Sequence, residues 1–470
     1  MWDYMVTEQD EPIQESSLAF KIVTSETLPD RATSAARDQR REQIIVPDDG
    51  DSDNNIDASS LNADLDRTAV PGYFAALLTS WKCRQRLLML PDAERNSQVH
   101  HQLKQVETEI MTFYTNIFDC EDAGFVAQQL EESHAQVFID ATQDVLHWGT
   151  LPNATSRRKA RQLMQDLSEA REKLSLPASL FIEGVNDPDE YPTFHGGFGD
   201  VFQASYKNKT VALKRIRVFE ANPTANRRHR LGVYKEALVW QGLRHKFILP
   251  LLGIDRTTFA PALCMVSPWM KHGTVLKYLN DRGHGDVDRL LLEIAQGLEY
   301  LHSVDVIHGD LRGSNILISD EGNACLSDFG LATMIPDTDS TIAMLSSSSS
   351  HAGSVRWFAP ELIRPTSFGL ERFLRTTASD VYAYALVCIE LYTNEPPFSH
   401  LIDSAVLLGV IDGMRPGRPS SMSTPLFEMV TSAWAGDFHI RPNSREVVCT
   451  LHGMGVVSSA YDYSTHYSTA

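Results

Sequence analysis

The sequence predicts an α+β fold of two lobes, a small β-rich lobe followed by a helical one, with an α-helical region in front. From about Pro71 to Lys173 apolar residues recur at three- and four-residue steps. From about Leu180 short β-like runs replace them, and from about Val275 the pattern is mostly helical again. The first spacing buries one face of a helix, and the second fits the strands of a sheet.

The elements run in order along the chain. Residues 1–70 hold 16 acidic and 6 basic residues and no sustained apolar period. With Asp48-Asp49-Gly50-Asp51-Ser52-Asp53 as its plainest stretch, this segment reads as an acidic disordered tail. Phe74, Leu77, Leu78, Trp81 and Leu88 mark a first helix. Val99, Leu103, Val106, Ile110, Tyr114 and Ile117 give a clear stripe. Phe125, Leu130, Val137, Ala141 and Val145 give a looser one, and Ala160, Leu163, Leu167, Ala170 and Leu174 another. Together they predict a helical region over 71–177, either a small bundle or helices packed on the next domain. No metal or catalytic constellation lies in it, and Pro177 is a stop before the next domain. Val201-Phe202-Gln203-Ala204, Thr210 to Arg215 and Ala262 to Val266 read as strands. Leu180 to Met454 is long enough for a two-lobed catalytic domain, placed at 180–455. Residues 456–470, rich in Ser, Thr and Tyr, read as a flexible tail.

The totals narrow the class. A chain of 470 residues with 43% hydrophobic and 22% charged residues has the composition of a soluble globular protein. A formal net charge of -19 argues against a general binder of nucleic acid or anionic membrane. The start, Met1-Trp2-Asp3-Tyr4, has neither the basic nor the apolar part of a secretory signal. The most apolar stretch, Val381 to Tyr392, falls short of the ~20 residues of a membrane span. Cys83, Cys120, Cys264, Cys325, Cys388 and Cys449 form no CxxC pair, so reduced thiols in a cytoplasmic protein are expected, with access to the nucleus left open.

The chemistry lies in three strings. His308-Gly309-Asp310-Leu311-Arg312-Gly313-Ser314-Asn315 comes first, then Asp328-Phe329-Gly330, then Ala359-Pro360-Glu361. An Asp with an Asn five residues on, and a second Asp eighteen residues on, meets the needs of metal-assisted phosphoryl transfer from ATP. One carboxylate orients a hydroxyl nucleophile, while the other carboxylate and the amide hold Mg²⁺ against the phosphates.

In this order the strings resemble the catalytic loop, metal loop and segment end of protein kinases, over roughly residues 180–455. Gly353-Ser354-Val355-Arg356-Trp357-Phe358-Ala359-Pro360-Glu361 resembles the tyrosine-kinase-like group. His308-Gly309-Asp310-Leu311 is similar to members of that group expanded in fungi. The resemblance implies a bilobal protein-kinase-like fold, a Ser/Thr protein kinase using ATP and Mg²⁺, protein substrates and a part in signal transduction. It implies roles residue by residue. His195-Gly196-Gly197-Phe198-Gly199-Asp200-Val201 resembles the glycine-rich loop, whose backbone approaches phosphate oxygens, with Gly196, Gly197, Phe198, Gly199, Val201 and Ala212 around the nucleotide. Lys214 would pair with the α- and β-phosphates and Glu236 would aim it. In the hinge, Ser267 takes the gatekeeper position, Pro268 offers a carbonyl and Met270 an amide to adenine. Asp310 would accept a hydrogen bond from the substrate hydroxyl, Arg312 would neutralise phosphoryl charge, and Asn315 and Asp328 would hold Mg²⁺. Phe329 and His308 would pack, Asp380 would hold the catalytic-loop backbone, and Glu361 would pair with Arg441.

Two positions depart from the family pattern. Phe194 stands where the first glycine is usual and predicts a stiffer turn. Gly309 replaces the usual Arg, so activation-loop phosphorylation is not expected to be required. Ser346–Ser350 then reads as a phosphorylatable but non-essential linker, although Arg227, Arg228 and Arg230 could receive a phosphate. Arg312 and Gly353-Ser354 point to Ser/Thr rather than Tyr. The departures leave open a pseudokinase scaffold that binds nucleotide or partners without efficient catalysis. The 71–177 helices are read as a contact for a partner or for the rest of the chain, or as an oligomerisation module.

Overall fold

Amphipathic helices with alanine-rich and leucine-rich faces build the first part of the molecule. In the computed structural model these are α1 (Ala58–Leu88), α2 (Ser97–Phe118), α3 (Ala123–Gln129), α4 (Glu132–Trp148) and α5 (Ala154–Ala170). The structure describes residues 58–89, 97–120, 123–148, 151, 153–170, 176–196, 199–215, 236–260, 262–331, 333–334 and 355–457. The acidic stretch 1–57, Gly197, Phe198, Arg227, Arg228, Arg230, Ser346–Ser350, Gly353, Ser354 and the tail from 458 lie outside them. Contacts divide the chain into a unit at 1–61 and a unit at 62–470. In the first, only 58–61 are described, as helix. The second carries the helices, both lobes and the cleft.

The helices share a core of their own. Phe74, Leu77, Ile110, Tyr114, Phe138, Ala141, Val145, Ala160 and Leu167 are buried in it. Phe74 and Phe138 pack with ring centroids 5.0 Å apart, and the Tyr114 hydroxyl meets Thr142 Oγ1 at 2.6 Å. Two expectations need correction. Helix begins at Ala58, inside the segment read as a tail to 70, because Leu61, Ala63, Leu65 and Ala69 are favourable helix formers despite Pro71. Phe125 is 66% exposed, not part of an inward stripe. The chain breaks between α3 and α4, which resets the helical phase, and Ala123 and Ala127 turn inward instead.

The next lobe is a six-stranded antiparallel sheet. Its path runs β1 (Val185–Asn186), β3 (Gly199–Tyr206), β4 (Lys209–Arg215), β6 (Cys264–Pro268) and β5 (Gly253–Asp255), with β2 (Phe194–Gly196) also paired to β3. Lys207 and Asn208 both have positive φ, 48° and 59°, as a two-residue hairpin between twisted strands requires. Alternation sorts the side chains. Phe202, Ala204, Val211, Leu213, Cys264 and Val266 form a small core on one face. The opposite face comes from the register: Val201 pairs with Lys214, and Ala212 with Ser267. These residues therefore form the ceiling of the cleft. One turn and a half of helix α6, over 236–241, lies beside the sheet.

The helical lobe holds α7 (Val275–Arg282), α8 (Val287–Ser303), α9 (Pro360–Ile363), α10 (Thr377–Thr393), α11 (Asp403–Ile411), α12 (Thr424–Ala433) and α13 (Ser444–Gly453). Residues from Ser379 to Leu391 are buried all round α10, which makes it the central helix. Thr376 and Ser379 close a capping box at its start. Between β7 (Val306–Ile307) and β8 (Ile316–Ile318) runs the loop 308–315. β8 pairs with β9 (Ala324–Leu326), and β10 (Thr333–Met334) returns to β7. The order is thus a helical bundle, a β-rich lobe and a helical lobe, with the three sequence strings at the join of the lobes.

Candidate active site

Lys214 projects from β4 on the cleft side of the sheet. Its ammonium lies 2.9 Å from Glu236 Oε1 on α6 and 2.7 Å from Asp328 Oδ1 after β9. Burial alone would push the Lys214 ammonium down, but Asp328 and Glu236 reverse this and hold it above its ordinary value. Burial also raises Asp328, yet Lys214, His308 and Arg312 outweigh it and keep this carboxyl below the usual range. Glu236 is pushed up by burial, with Lys214 opposing and Asp328 adding to the rise. Lys214 thus joins the two carboxylates as a single charged group across the lobes.

Below it, Asn315 Nδ2 donates to the Asp310 carbonyl at 2.8 Å and to Asp310 Oδ2 at 2.9 Å. This turns the amide oxygen of Asn315 away from Asp310. Arg312 Nε lies 3.4 Å from Asp310 Oδ2. The loop owes its shape to α10. Asp380 accepts from the backbone N–H of His308 at 2.8 Å and of Gly309 at 2.9 Å, and meets His302 Nε2 at 3.0 Å. Gly309 has φ +77°, where glycine is unstrained. Asp328 itself has φ +62°, which an Asp tolerates. The Phe329 ring is fully buried, 5.6 Å from His308 and 5.7 Å from Trp240 of α6.

The nucleotide-side residues expected from the sequence fall on both sides of one cleft. Gly196 ends β2, Gly199 starts β3, and Val201, Ala212 and Ser267 line the ceiling beside Lys214. Pro268 ends β6 and Met270 comes two residues later, with its carbonyl accepting from Gly273 N–H at 2.9 Å. Gly197 and Phe198 are outside the described residues. Phe194 is in strand with no positive φ, so its side chain costs the backbone nothing there. Its ring is 54% exposed and stacks on Trp269 of the hinge at 6.2 Å. Further down, Arg441 grips Glu361 with two bonds of 2.6 and 2.7 Å, both residues being buried.

Two contributors have no place among the residues expected from the sequence. Arg375 Nε donates to the Gly309 carbonyl at 2.9 Å. Glu390 Oε2 accepts from Gly313 N–H at 2.8 Å and from Trp357 Nε1 at 3.1 Å, which ties the loop to the Ala359-Pro360-Glu361 segment. A carboxylate inside the apolar run Val381 to Tyr392 was the available signal for Glu390. Nothing in the sequence marks Arg375.

For Mg²⁺ the donor set fits. An ionised Asp328 and the amide oxygen of Asn315 are hard oxygen ligands, and such ions take one or two protein groups alongside phosphates. Among the described residues no cluster of three His, Cys, Asp or Glu could hold a metal by itself. Nor is any described helix long and apolar enough to cross a membrane.

Two lobes around a Lys–Glu–Asp bridge, above a loop fixed by a buried Asp, define a protein kinase domain. Residues 194–451 match the family described as protein tyrosine and serine/threonine kinase, and the chain belongs to that family. It is 30% identical over 262 residues to serine/threonine-protein kinase STY17 of Arabidopsis thaliana, covering 55% of this chain and 42% of that protein. It is 32% identical over 218 residues to mitogen-activated protein kinase kinase kinase dlk-1 of Caenorhabditis briggsae, covering 46% and 22%. It is 29% identical over 299 residues to tyrosine-protein kinase csk-1 of Caenorhabditis elegans, covering 60% and 50%. The chain spans half or less of the length of these relatives.

Proposed function

We propose that this chain is an active Ser/Thr protein kinase of the tyrosine-kinase-like group, similar to the branch expanded in fungi. The observation that carries the reading is the Lys214 bridge to Glu236 and Asp328, closed over an Asn315–Asp310 pair. Lys214 would draw the α- and β-phosphates of ATP to the ceiling. Asp310 would accept the hydrogen bond of a substrate hydroxyl and aim its oxygen at the γ-phosphorus. Arg312 would offset charge on the transferring group. Asp328 and Asn315 would hold Mg²⁺, which would supply charge neutralisation of the phosphates. Adenine would meet the backbone of Pro268 and Met270 beside Ser267.

Ser/Thr specificity is supported by Arg312, two residues after Asp310, and by the likeness to a relative named a serine/threonine kinase. Gly309 supports activity without a phosphate on the activation segment. Cytoplasmic signalling on protein substrates is the setting that fits these features.

The test is phosphate transfer from Mg²⁺-ATP to a mixed Ser/Thr/Tyr peptide substrate by wild type and Asp310→Asn. Transfer to Ser and Thr, reduced at least ~100-fold in the variant, is expected. Wild type that binds nucleotide but transfers nothing would replace the reading with a pseudokinase scaffold. Mainly phosphotyrosine would overturn the specificity.

A further inference from the structure

Helix α6 carries Glu236, and its position decides whether Lys214 keeps Glu236 as a partner beside Asp328. Successive helical residues turn by 100°, so Leu238 projects roughly opposite to Glu236. On one side of α6, Glu236 meets Lys214 and Trp240 meets Phe329. On the other, Leu238 packs against the core of the N-terminal bundle as well as that of the lobes. A helix with apolar residues on both faces needs cover on both, and the bundle is the cover on the far face.

Bundle helix α5 adds polar anchors. From its basic string, Arg158 and Arg161 meet the C-terminal end of α8, where free carbonyls and the helix dipole favour cations. Arg158 Nη2 pairs with Asp305 Oδ1 at 2.8 Å, and Arg161 Nη1 reaches the Val304 carbonyl at 3.5 Å. Arg161 also lies beside Gly242, at the end of α6, where an added Cβ would be 3.5 Å from its Nη2. Val304 and Asp305 lead directly through β7 into His308. From α4, Asp140 Oδ1 accepts the Ala178 N–H at 2.9 Å and Gln136 Nε2 donates to the Leu176 carbonyl at 3.2 Å. The bundle therefore holds the end of the Glu236 helix, the strand entering the catalytic loop and the segment joining bundle to lobe.

We propose that the N-terminal bundle is a built-in activating clamp: it seats the Glu236 helix in its Lys214-paired position, and phosphoryl transfer depends on that seating. The inference rests on the kinase reading and deepens it by assigning Leu238, Arg158 and Arg161 as positioning residues outside the cleft. The sign is activating because the Lys214–Glu236 pair is formed while the bundle is docked.

Leu238→Ala and Arg158→Glu in the full chain test it, with Leu238→Met and Arg158→Lys as conservative partners. Alanine keeps the helix, so the first change trims the side chain where the bundle and lobe cores meet, while Arg158→Glu breaks a bundle contact away from α6. Expected is a kcat about tenfold lower in each disruptive variant. Amide hydrogen exchange at 236–241 should quicken by more than elsewhere in the lobes, and both conservative variants should stay near wild type. If Leu238→Ala fails to fold, Arg158→Glu on the rim of the contact decides alone. Unchanged kcat, raised kcat, or lowered kcat without faster exchange at 236–241 would each overturn the clamp. A wild type without transfer activity overturns the kinase reading instead, and exchange at 236–241 then decides the clamp by itself.

Discussion

Glu390 is a carboxyl held where ionisation is unfavourable. Burial pushes it up to about 7 from an ordinary 4.5, against the pull of the Gly313 and Trp357 N–H groups and of Arg312. A native state that binds its proton more tightly than the unfolded chain loses stability as pH rises between those values. Glu390's contribution is thus full below pH 4.5 and gone above about 7. Glu390→Gln keeps an acceptor without the charge, so it is expected to be more stable than wild type at pH 8, by up to about 3 kcal/mol. Denaturant unfolding at pH 5 and pH 8 reads this, and an equal gain at both would contradict it. Ser267 carries a second prediction. A small buried side chain leaves room behind adenine, so bulky N-substituted ATP analogues should compete better against wild type than against Ser267→Met. The spacing of Asp310, Asn315 and Asp328 stood out in the sequence, and the family resemblance pointed to Lys214 and Glu236, which the fold brings against Asp328. Glu390 and Arg375 were not legible, because they lie in none of the recognised motifs and their backbone partners, 77 and 66 residues away, are set by the fold alone.

Phe194 acts at the scale of the turn rather than of the residue. The missing glycine predicts a stiffer opening from the sequence. The backbone there is ordinary strand, and the ring stacks on Trp269, which ties β2 to the hinge. An aromatic pair adds about 0.5–1.5 kcal/mol beyond its buried area. Phe194→Gly should therefore speed nucleotide release by roughly two- to tenfold, which stopped-flow displacement of a fluorescent ATP analogue measures; an unchanged release rate would count against the stack. The strands at 201–204 and 210–215 were readable because half-buried strands alternate. The looser helical stripe fails at Phe125 because periodicity does not reveal where one helix stops and the next restarts its phase.

For the whole molecule, the sequence showed two regions and left their relation undecided between a separate bundle and helices packed on the lobes. The structure shows a bundle with its own core that also touches α6 at Leu238. Periodicity could identify the buried faces but not which of them is shared, since Leu238 reads like any other apolar helix residue. Shared contacts at Leu238, Asp305 and Ala178 predict that the region 62–457 melts in one calorimetric transition; two separated transitions would show the bundle and lobes to be independent. There is also a consequence for how such sequences diverge. Leu238 answers to neighbours from two regions at once, so neither can drift freely. A descendant that lost the bundle would carry an oily, unanswered face on its Glu236 helix, and selection would repaint position 238 with a polar residue and release Asp305 from its charge. Position 238 should therefore be apolar in homologues that keep the helices and hydrophilic in those that do not.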